Sequence, residues 1–502
     1  MSGAAITPGQ ETPVPEFKQI MGHPAPLWML FMSEFWERFA FYGIRWALVL
    51  YIVSQFYAGD ATGQASASAT YGSFLALVYA AALFGGYVAD KVIGYQRSIL
   101  VGAVFMAAGL FMISIPSLDV FNLGLATIIV GNGLFKPNIS TMVGKLYSAA
   151  DTRRDSGFTI FYMGINIGGM VAPVFTQLLA QKVFNVGDTP AYKVVFIAAG
   201  IGMLLSLIWF ALGRHMLKGI GAPAEGNQSM TRVIYVALGA LCVIPVVYFL
   251  LSMSSTVLAW ILGALFIGLS VMLFIEGVKN GSVARDKVIA MLLIFAFNIL
   301  FWMFFEQAGS SFTFLTDSIV NRNAFGFEIP VAWYQSVNSL AIILFAPVIA
   351  TIWVMLGRRN MNPSIPRKFG LGLIGNAIAF GFLVFALNSM VDDKGMIPFW
   401  PLILVYVIQS IGELCLSPIG LSMVTKLAPL RLVGLGMGGW FLSTGIGNNL
   451  SGIFAGHVSG TSGMTVQSAI SGYTFGFLSL LGAGIVLFLI APLMQKLMHG
   501  VK

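Results

Sequence analysis

An all-α integral membrane protein is the fold class this sequence predicts, with fourteen spanning helices arranged as two six-helix bundles and an inserted two-helix hairpin. Three observations predict it. Hydrophobic residues make up 58% of the 502 and charged residues only 9%, against roughly 25% charged in a soluble domain. The apolar residues come in runs of about twenty or more, the length a helix needs to cross a bilayer. Finally, when the runs alternate in direction, 20 of the 27 Lys and Arg fall on one side, four on the other and three within the runs. Such an excess marks the cytoplasmic side and places both termini there.

Taken in order, residues 1–26 are polar and Pro-rich, without the apolar core of a cleavable signal peptide, and read as a disordered cytoplasmic tail. Spans follow near 27–56, 70–90, 98–116, 120–143, 157–182 and 192–213, forming an N-terminal bundle over 27–213. A cytoplasmic linker and hairpin occupy 214–285. The hairpin's two runs, 231–251 and 256–278, carry almost no charge and are joined by a short SMSS turn. The C-terminal bundle, 286–496, holds spans near 287–315, 331–356, 369–389, 397–426, 433–457 and 469–495, before a cytoplasmic tail at 497–502. Cys242 and Cys415 stand in apolar runs and read as buried small residues, with no disulfide framework. The net charge of +8 is accounted for by cytoplasmic loops and implies no nucleic-acid partner. The partners implied are the lipid bilayer and a small solute, and the chain is expected to act as a monomer.

The first span carries four charges where little water is expected: Glu34, Glu37, Arg38 and Arg45. Each ionised side chain at mid-bilayer costs about 2.5–3.5 kcal/mol. About twenty apolar neighbours, at about −0.3 to −0.6 kcal/mol each, only just offset four of them. Such a helix is tolerable when its charges face the bundle interior and pair or line water. The spacing fits, since 34, 37, 38, 41, 42 and 45 recur every three or four positions and share one helical face. Tyr42 adds a hydroxyl to that face.

Other polar residues stand alone in apolar spans: Lys136 in GNGLFKPNIS, Asn166 in FYMGINIGG, Glu306 four residues after Trp302, Asn338 in YQSVNS, Glu413 in IGELCLSPIGLS, and Trp440 in GMGGWFLSTGIG. Pro137 and Pro418 each remove a backbone hydrogen bond close to a charge and are expected to loosen their helices. Tyr71 and Tyr79 lie toward a span end, where a Tyr also serves as an interfacial anchor. Four intramembrane acids face three bases, so one carboxylate lacks a basic partner and is expected to carry a proton. No His lies within a span core, so a proton carrier must be a carboxylate. The spans show no His/Asp metal set, no HExxH and no Ser/His pair, so no cofactor, metal or enzyme chemistry is expected.

Two sets of motifs carry a family resemblance. GGYVADKVIGYQR, 85–97, resembles the loop signature of the major facilitator superfamily, with Gly86, Asp90, Gly94 and Arg97 in place. Its Asp and Arg could form a breakable cytoplasmic latch. A degraded counterpart, LGRRNMNPSIPRK, lies at 356–368. EFWERFAFYG (34–43), RRDSGFTIFYMGINIGG (153–169), KPN (136–138), the Trp302/Glu306 pair and ELCLSP (413–418) together resemble the proton-coupled oligopeptide transporters of that superfamily. The departure is Phe41, where the family usually has the first Tyr.

The resemblance implies a twelve-helix transporter with two extra helices at its middle, importing di- and tripeptides with protons across a bacterial inner membrane. It implies a peptide site built from Arg38, Tyr42, Arg45, Tyr79, Lys136 and Asn166 in the first half, and Trp302, Glu306, Asn338, Glu413, Ser417 and Trp440 in the second. In that assignment Arg45 and Lys136 take the peptide carboxylate and Glu413 takes its ammonium. Arg45–Glu306 and Lys136–Glu413 act as outer and inner gates, and Glu34, Glu37 and Glu306 couple protons to them. A relative carrying another small anion or a modified amino acid, or an uncoupled facilitator, is the alternative.

Overall fold

Among the described residues, fifteen α-helices make up most of the structure: α1 (Ala25–Phe56), α2 (Gln64–Val88), α3 (Tyr95–Met112), α4 (Leu118–Lys145), α5 (Arg154–Leu178), α6 (Tyr192–Gly213), α7 (Met230–Ser252), α8 (Ser255–Lys279), α9 (Ser282–Phe305), α10 (Ser311–Ser318), α11 (Trp333–Arg358), α12 (Ile365–Ser389), α13 (Trp400–Leu427), α14 (Val433–Ser459) and α15 (Val466–Leu497). The computed structural model describes residues 14–148, 151–184, 189–223 and 228–501, without the side chains at 417, 418, 421 and 430. Among the described residues, twelve helices are long and apolar enough to cross a membrane. The described apolar stretch Trp400–Leu416 of α13 is shorter, and α14 is rich in Gly, Ser and Asn.

Among the first six helices, α1 packs on α5 and α6, α3 on α4 and α6, and α2 on α4. In the second half α12 packs on α13 and α15, α11 on α13, and α9 on α14. The largest contacts between these sets are α2 with α14 and α5 with α11, and α1 also reaches α10. The hairpin leans one helix on each side, α7 against α4 and α8 against α14 and α9. With no hydrophobic drive between helices in lipid, small residues let backbones approach. A Cβ on Gly85 would collide with the Gly133 carbonyl, and one on Gly72 with the backbone of Gly452.

The Gly85 crossing also explains Pro137, which does not loosen its helix. α4 runs unbroken from Leu118 to Lys145. Pro137 leaves the Gly133 carbonyl without its usual helical donor, and that carbonyl lies where Gly85 lets α2 come close. Asn138 Nδ2 donates to Leu134 O at 2.7 Å and across to Gly85 O at 3.1 Å. The Pro418 side chain lies outside the described residues.

The span expected over 287–315 is two helices with a break between them. α9 ends at Phe305, and α10 begins only at Ser311. Side chains take over the backbone bonds the break gives up, as an apolar surrounding requires. Ser451 Oγ donates to Glu306 O at 2.8 Å, and Gln335 Nε2 to Ala308 O at 2.9 Å. Gln307 Nε2 donates to Met303 O and to Ser451 Oγ. Gly309 leaves room for the Tyr71 ring.

Part of the expected disordered tail is ordered. Residues 1–13 lie outside the described ones, but β1 (Gln19–Ile20) pairs antiparallel with β2 (His23–Pro24), and α1 begins at Ala25 with Pro26 in its first turn. The hairpin is tied to the α4–α5 connection. Arg153 Nη1 donates to Gln19 Oε1 and Gly22 O, both at 3.0 Å, and His23 Nδ1 lies 2.8 Å from Tyr147 OH. Arg153 also clamps Asp151, and those hydrogen bonds, from its side chain first and its backbone N–H second, hold the Asp151 carboxyl down at about 2.

The loop signature is built differently from the expected Asp–Arg latch. Tyr95 OH donates to Asp90, while Arg97 donates to the carbonyls of Gln228 and Ser229. Gly94 turns the chain at φ +80°, with the Ala222–Pro223 backbone where a side chain would stand. Cys415 is buried, but Cys242 is exposed on α7, an outward position that an apolar membrane-facing helix allows. Both are free thiols.

Candidate functional site

α1 presents its charged face inward. Arg38 grips Glu37 with a two-pronged fork: Nε reaches Oε2, and Nη2 reaches Oε1 at 2.5 Å. Glu34 Oε1 lies 3.4 Å from the same Nε, while Glu34 Oε2 has no hydrogen-bond partner among the described residues. Asn132 Nδ2, on α4, donates to Glu37 Oε1 at 3.3 Å, which fixes α1 against α4 one turn before Lys136. The Arg38 guanidinium lies over the Phe41 ring at 4.8 Å and the Tyr42 ring at 5.8 Å. Phe41 thus keeps the aromatic face that a Tyr would offer, and it stacks on Phe74.

Two turns on, Arg45 crosses to the other half of the chain. Its Nη2 meets Glu306 Oε2 at 2.5 Å and its Nε donates to Tyr71 OH at 2.9 Å. Tyr42 lies 5.7 Å beneath the same guanidinium. Glu306 sits at the break between α9 and α10, so this pair joins α1 to that interrupted span.

Lys136 and Glu413 have different partners. Lys136 Nζ lies 4.8 Å over the Tyr79 ring and forms no ion pair among the described residues. Glu413 Oε2 accepts from Asn338 Nδ2 at 3.3 Å, and the same amide donates to Ser410 Oγ at 2.9 Å. The expected Lys136–Glu413 ion pair is not formed among the described residues.

The remaining predicted residues are placed as follows. Asn166 Nδ2 donates to Tyr162 O within α5. Trp302 Nε1 donates to Asn298 Oδ1 at 3.0 Å. Trp440 is wedged between Phe295 and Phe369, with Gly420 leaving space for its ring. Ser417 belongs to α13, and its side chain lies outside the described residues.

Tyr71, which a position near a span end marks as an anchor, is buried and holds Arg45. Asn132, Gln307, Ser451 and Asn298 escape a search for charges. Their signal is a lone Asn, Gln or Ser in an apolar run, which is far commoner than a lone charge and therefore weaker.

Two further bonds close the end of the bundle that carries Arg45–Glu306. Gln64 Oε1 at the start of α2 accepts from Met464 N at 2.9 Å, and Gln177 Oε1 near the end of α5 accepts from Ala332 N at 2.5 Å. Each joins the first six helices to a connection in the second half.

The family model described as PTR2, POT family, matches residues 96–470. The peptide transporter YePEPT of Yersinia enterocolitica is 36% identical over 484 residues, covering 91% of each chain. The uncharacterized transporter YclF of Bacillus subtilis is 34% identical, covering 96% of this chain and 97% of its own. Among solved structures, the peptide transporter POT in complex with sulfate superposes with a TM-score of 0.81 at 31% identity, covering 96% of this chain and 97% of that one. A POT family transporter in complex with 5-aminolevulinic acid gives 0.80 at 29%, covering 95% and 98%. With a family model over residues 96–470 and relatives above 30% identity along nearly the whole chain, the chain belongs to the POT family and is a multi-pass membrane transporter rather than an enzyme.

Proposed function

We propose that this chain imports di- and tripeptides by symport with protons, using alternating access between two six-helix bundles. The observation that carries the proposal is the unequal state of its cross-half charges: Arg45–Glu306 is paired, while Lys136 and Glu413 are apart. Such a site is sealed on one side and offers a cation and a carboxylate on the other. A zwitterionic peptide carries the complements of both. Its carboxylate meets Lys136 and, once Glu306 releases it, Arg45. Its ammonium meets Glu413, held in place by Asn338. Arg38, Tyr42, Tyr79, Asn166, Trp302, Ser417 and Trp440 surround the rest of the peptide with groups that tolerate varied side chains.

In this reading the bundles are 27–213 and 286–496, the hairpin region is 214–285, and α13 and α14 cross the membrane as well, making fourteen spans. Both termini lie in the cytoplasm of a bacterial cell, so Arg45–Glu306 is the outer gate and the structure is inward-open. Protonation of Glu306 breaks the outer gate. Glu37 holds Arg38 as a fixed charge, and Glu34, with one carboxylate oxygen unpartnered, is a second place for a proton. The protein works as a monomer.

The test is uptake of labelled dialanine into proteoliposomes with an imposed gradient, acid outside. Accumulation above equilibrium that collapses with a protonophore supports symport; uptake that only equilibrates makes the chain a facilitator. A second reading, transport of a small amino-acid derivative, is favoured by the family structure holding 5-aminolevulinic acid. Competition by that compound, without any uptake of dialanine, would select it.

A further inference from the structure

We infer that Asn298 is a positioning residue that fixes the indole of Trp302 as a wall of the transport site, an assignment that rests on the peptide reading above. Asn298 is 0% exposed, in the apolar run AFNILFW of α9. A carboxamide there is costly unless its bonds are made, and three are. Oδ1 accepts from Trp302 Nε1 at 3.0 Å. Nδ2 donates to Ser443 Oγ at 2.9 Å and Thr444 Oγ1 at 3.0 Å, both on α14. Those two hydroxyls donate in turn to the carbonyl of Trp440, at 2.7 and 3.1 Å.

The amide therefore has two distinct arms. The donor arm ties α9 to α14, which any helix-packing role would require. The acceptor arm is directed to the indole. Once Asn298 is anchored on α14, a buried indole N–H that must find a partner has one orientation available. Trp302 lies one turn before Glu306, and its carbonyl accepts from the Glu306 N–H. The ring is thus set beside the break that holds the cross-half ion pair, where it can shape the site without carrying charge.

A double-mutant cycle separates positioning from packing. Asn298→Leu, Trp302→Phe and the double variant are compared for dialanine uptake in proteoliposomes. Alone, Asn298→Leu is expected to raise KM about three- to tenfold, the worth of one buried hydrogen bond, with the maximal rate within about twofold. In the Trp302→Phe background it is expected to add nothing. Equal effects in both backgrounds, or a lost maximal rate at unchanged KM, would overturn the inference.

If Asn298→Leu does not reach the membrane, Ser443→Ala replaces it in the same cycle, with a KM rise of about two- to threefold that again disappears in Trp302→Phe. Wild-type uptake run alongside judges the peptide reading separately. The emission of Trp302, taken as the difference between the spectra of otherwise identical proteins with and without Trp302→Phe, needs no substrate. It is expected to shift to the blue when Asn298 is replaced, and an unmoved spectrum would also overturn the assignment.

Discussion

Two acid–base sets in this molecule use the same chemistry and stand in opposite states. Arg45 and Glu306 meet at 2.5 Å between α1 and the end of α9, with Tyr71 and Tyr42 closing around them. Lys136 and Glu413, on α4 and α13, turn instead to Tyr79 and Asn338. Local chemistry does not account for the difference, since each set offers one base and one acid. What sets the Arg45 end apart is its surroundings, where Gln64–Met464 and Gln177–Ala332 also tie the first six helices to the second half. A buried acid and base pair here where side-chain amides also hold the two halves together.

The largest expected effect comes from the support under both sets. Glu37 anchors Arg38 and accepts from Asn132 on the helix of Lys136. Glu37→Leu leaves a buried guanidinium without its fork and should cost about 3–5 kcal/mol, read as a drop in the thermal midpoint in detergent. A midpoint within a degree of wild type would mean that Arg38 is held by other contacts.

Next in size is Glu413→Gln. Losing the charged partner of a peptide ammonium should weaken dialanine binding by about 1.5–3 kcal/mol, or about 10- to 150-fold, and leave binding of N-acetyl-dialanine, which has no ammonium, unchanged. Equal losses for both ligands would remove Glu413 from ammonium recognition.

Gln177→Leu deletes one of the sealing bonds and should shift the equilibrium toward opening of that end by about 1 kcal/mol, seen as roughly fivefold faster thiol labelling of a cysteine placed beside Ala332. Unchanged labelling would leave the seal to the Arg45–Glu306 pair and the Gln64–Met464 bond.

The smallest effect is expected at the α4–α5 connection. Arg153 holds Asp151 near 2, below its ordinary 3.8. The stabilisation from a depressed carboxylate is fully present above the unfolded value and is lost only as pH falls toward 2. Asp151→Asn should therefore leave the pH profile of transport between about pH 5 and 8 unmoved, and a shifted profile would mean that the connection takes part in coupling.

Much of this was legible in the chain itself, for stated physical reasons. Charges in an apolar helix must face inward and pair, so the 34, 37, 38, 45 face could be read from its period. Glu306 stood out for the same reason, and the Arg45–Glu306 pairing followed once the family resemblance was seen. The break after Glu306 was harder, because EQAGSS is interrupted by one Gly only and the bonds that stabilise it come from Ser451 and Gln335, far along the chain. Pro137 misled for a related reason: the local rule predicts a loosened helix, but Gly85 on α2 and the Asn138 amide offset the lost bond. The tail was read as disordered because nothing in residues 14–24 announces that Arg153 and Tyr147 will hold it. Whether Lys136 meets Glu413 was not legible at all, since one sequence serves both the open and the closed state.

The central claim is that Glu306, by taking a proton, releases Arg45 and couples the gradient to transport. The most direct measurement is Glu306→Gln in proteoliposomes, comparing gradient-driven accumulation with counterflow exchange. A neutral amide mimics the protonated acid, so the account predicts that accumulation is abolished while exchange of labelled for unlabelled dialanine continues. Accumulation at the wild-type level in that variant would contradict it, and the proton would then have to enter elsewhere.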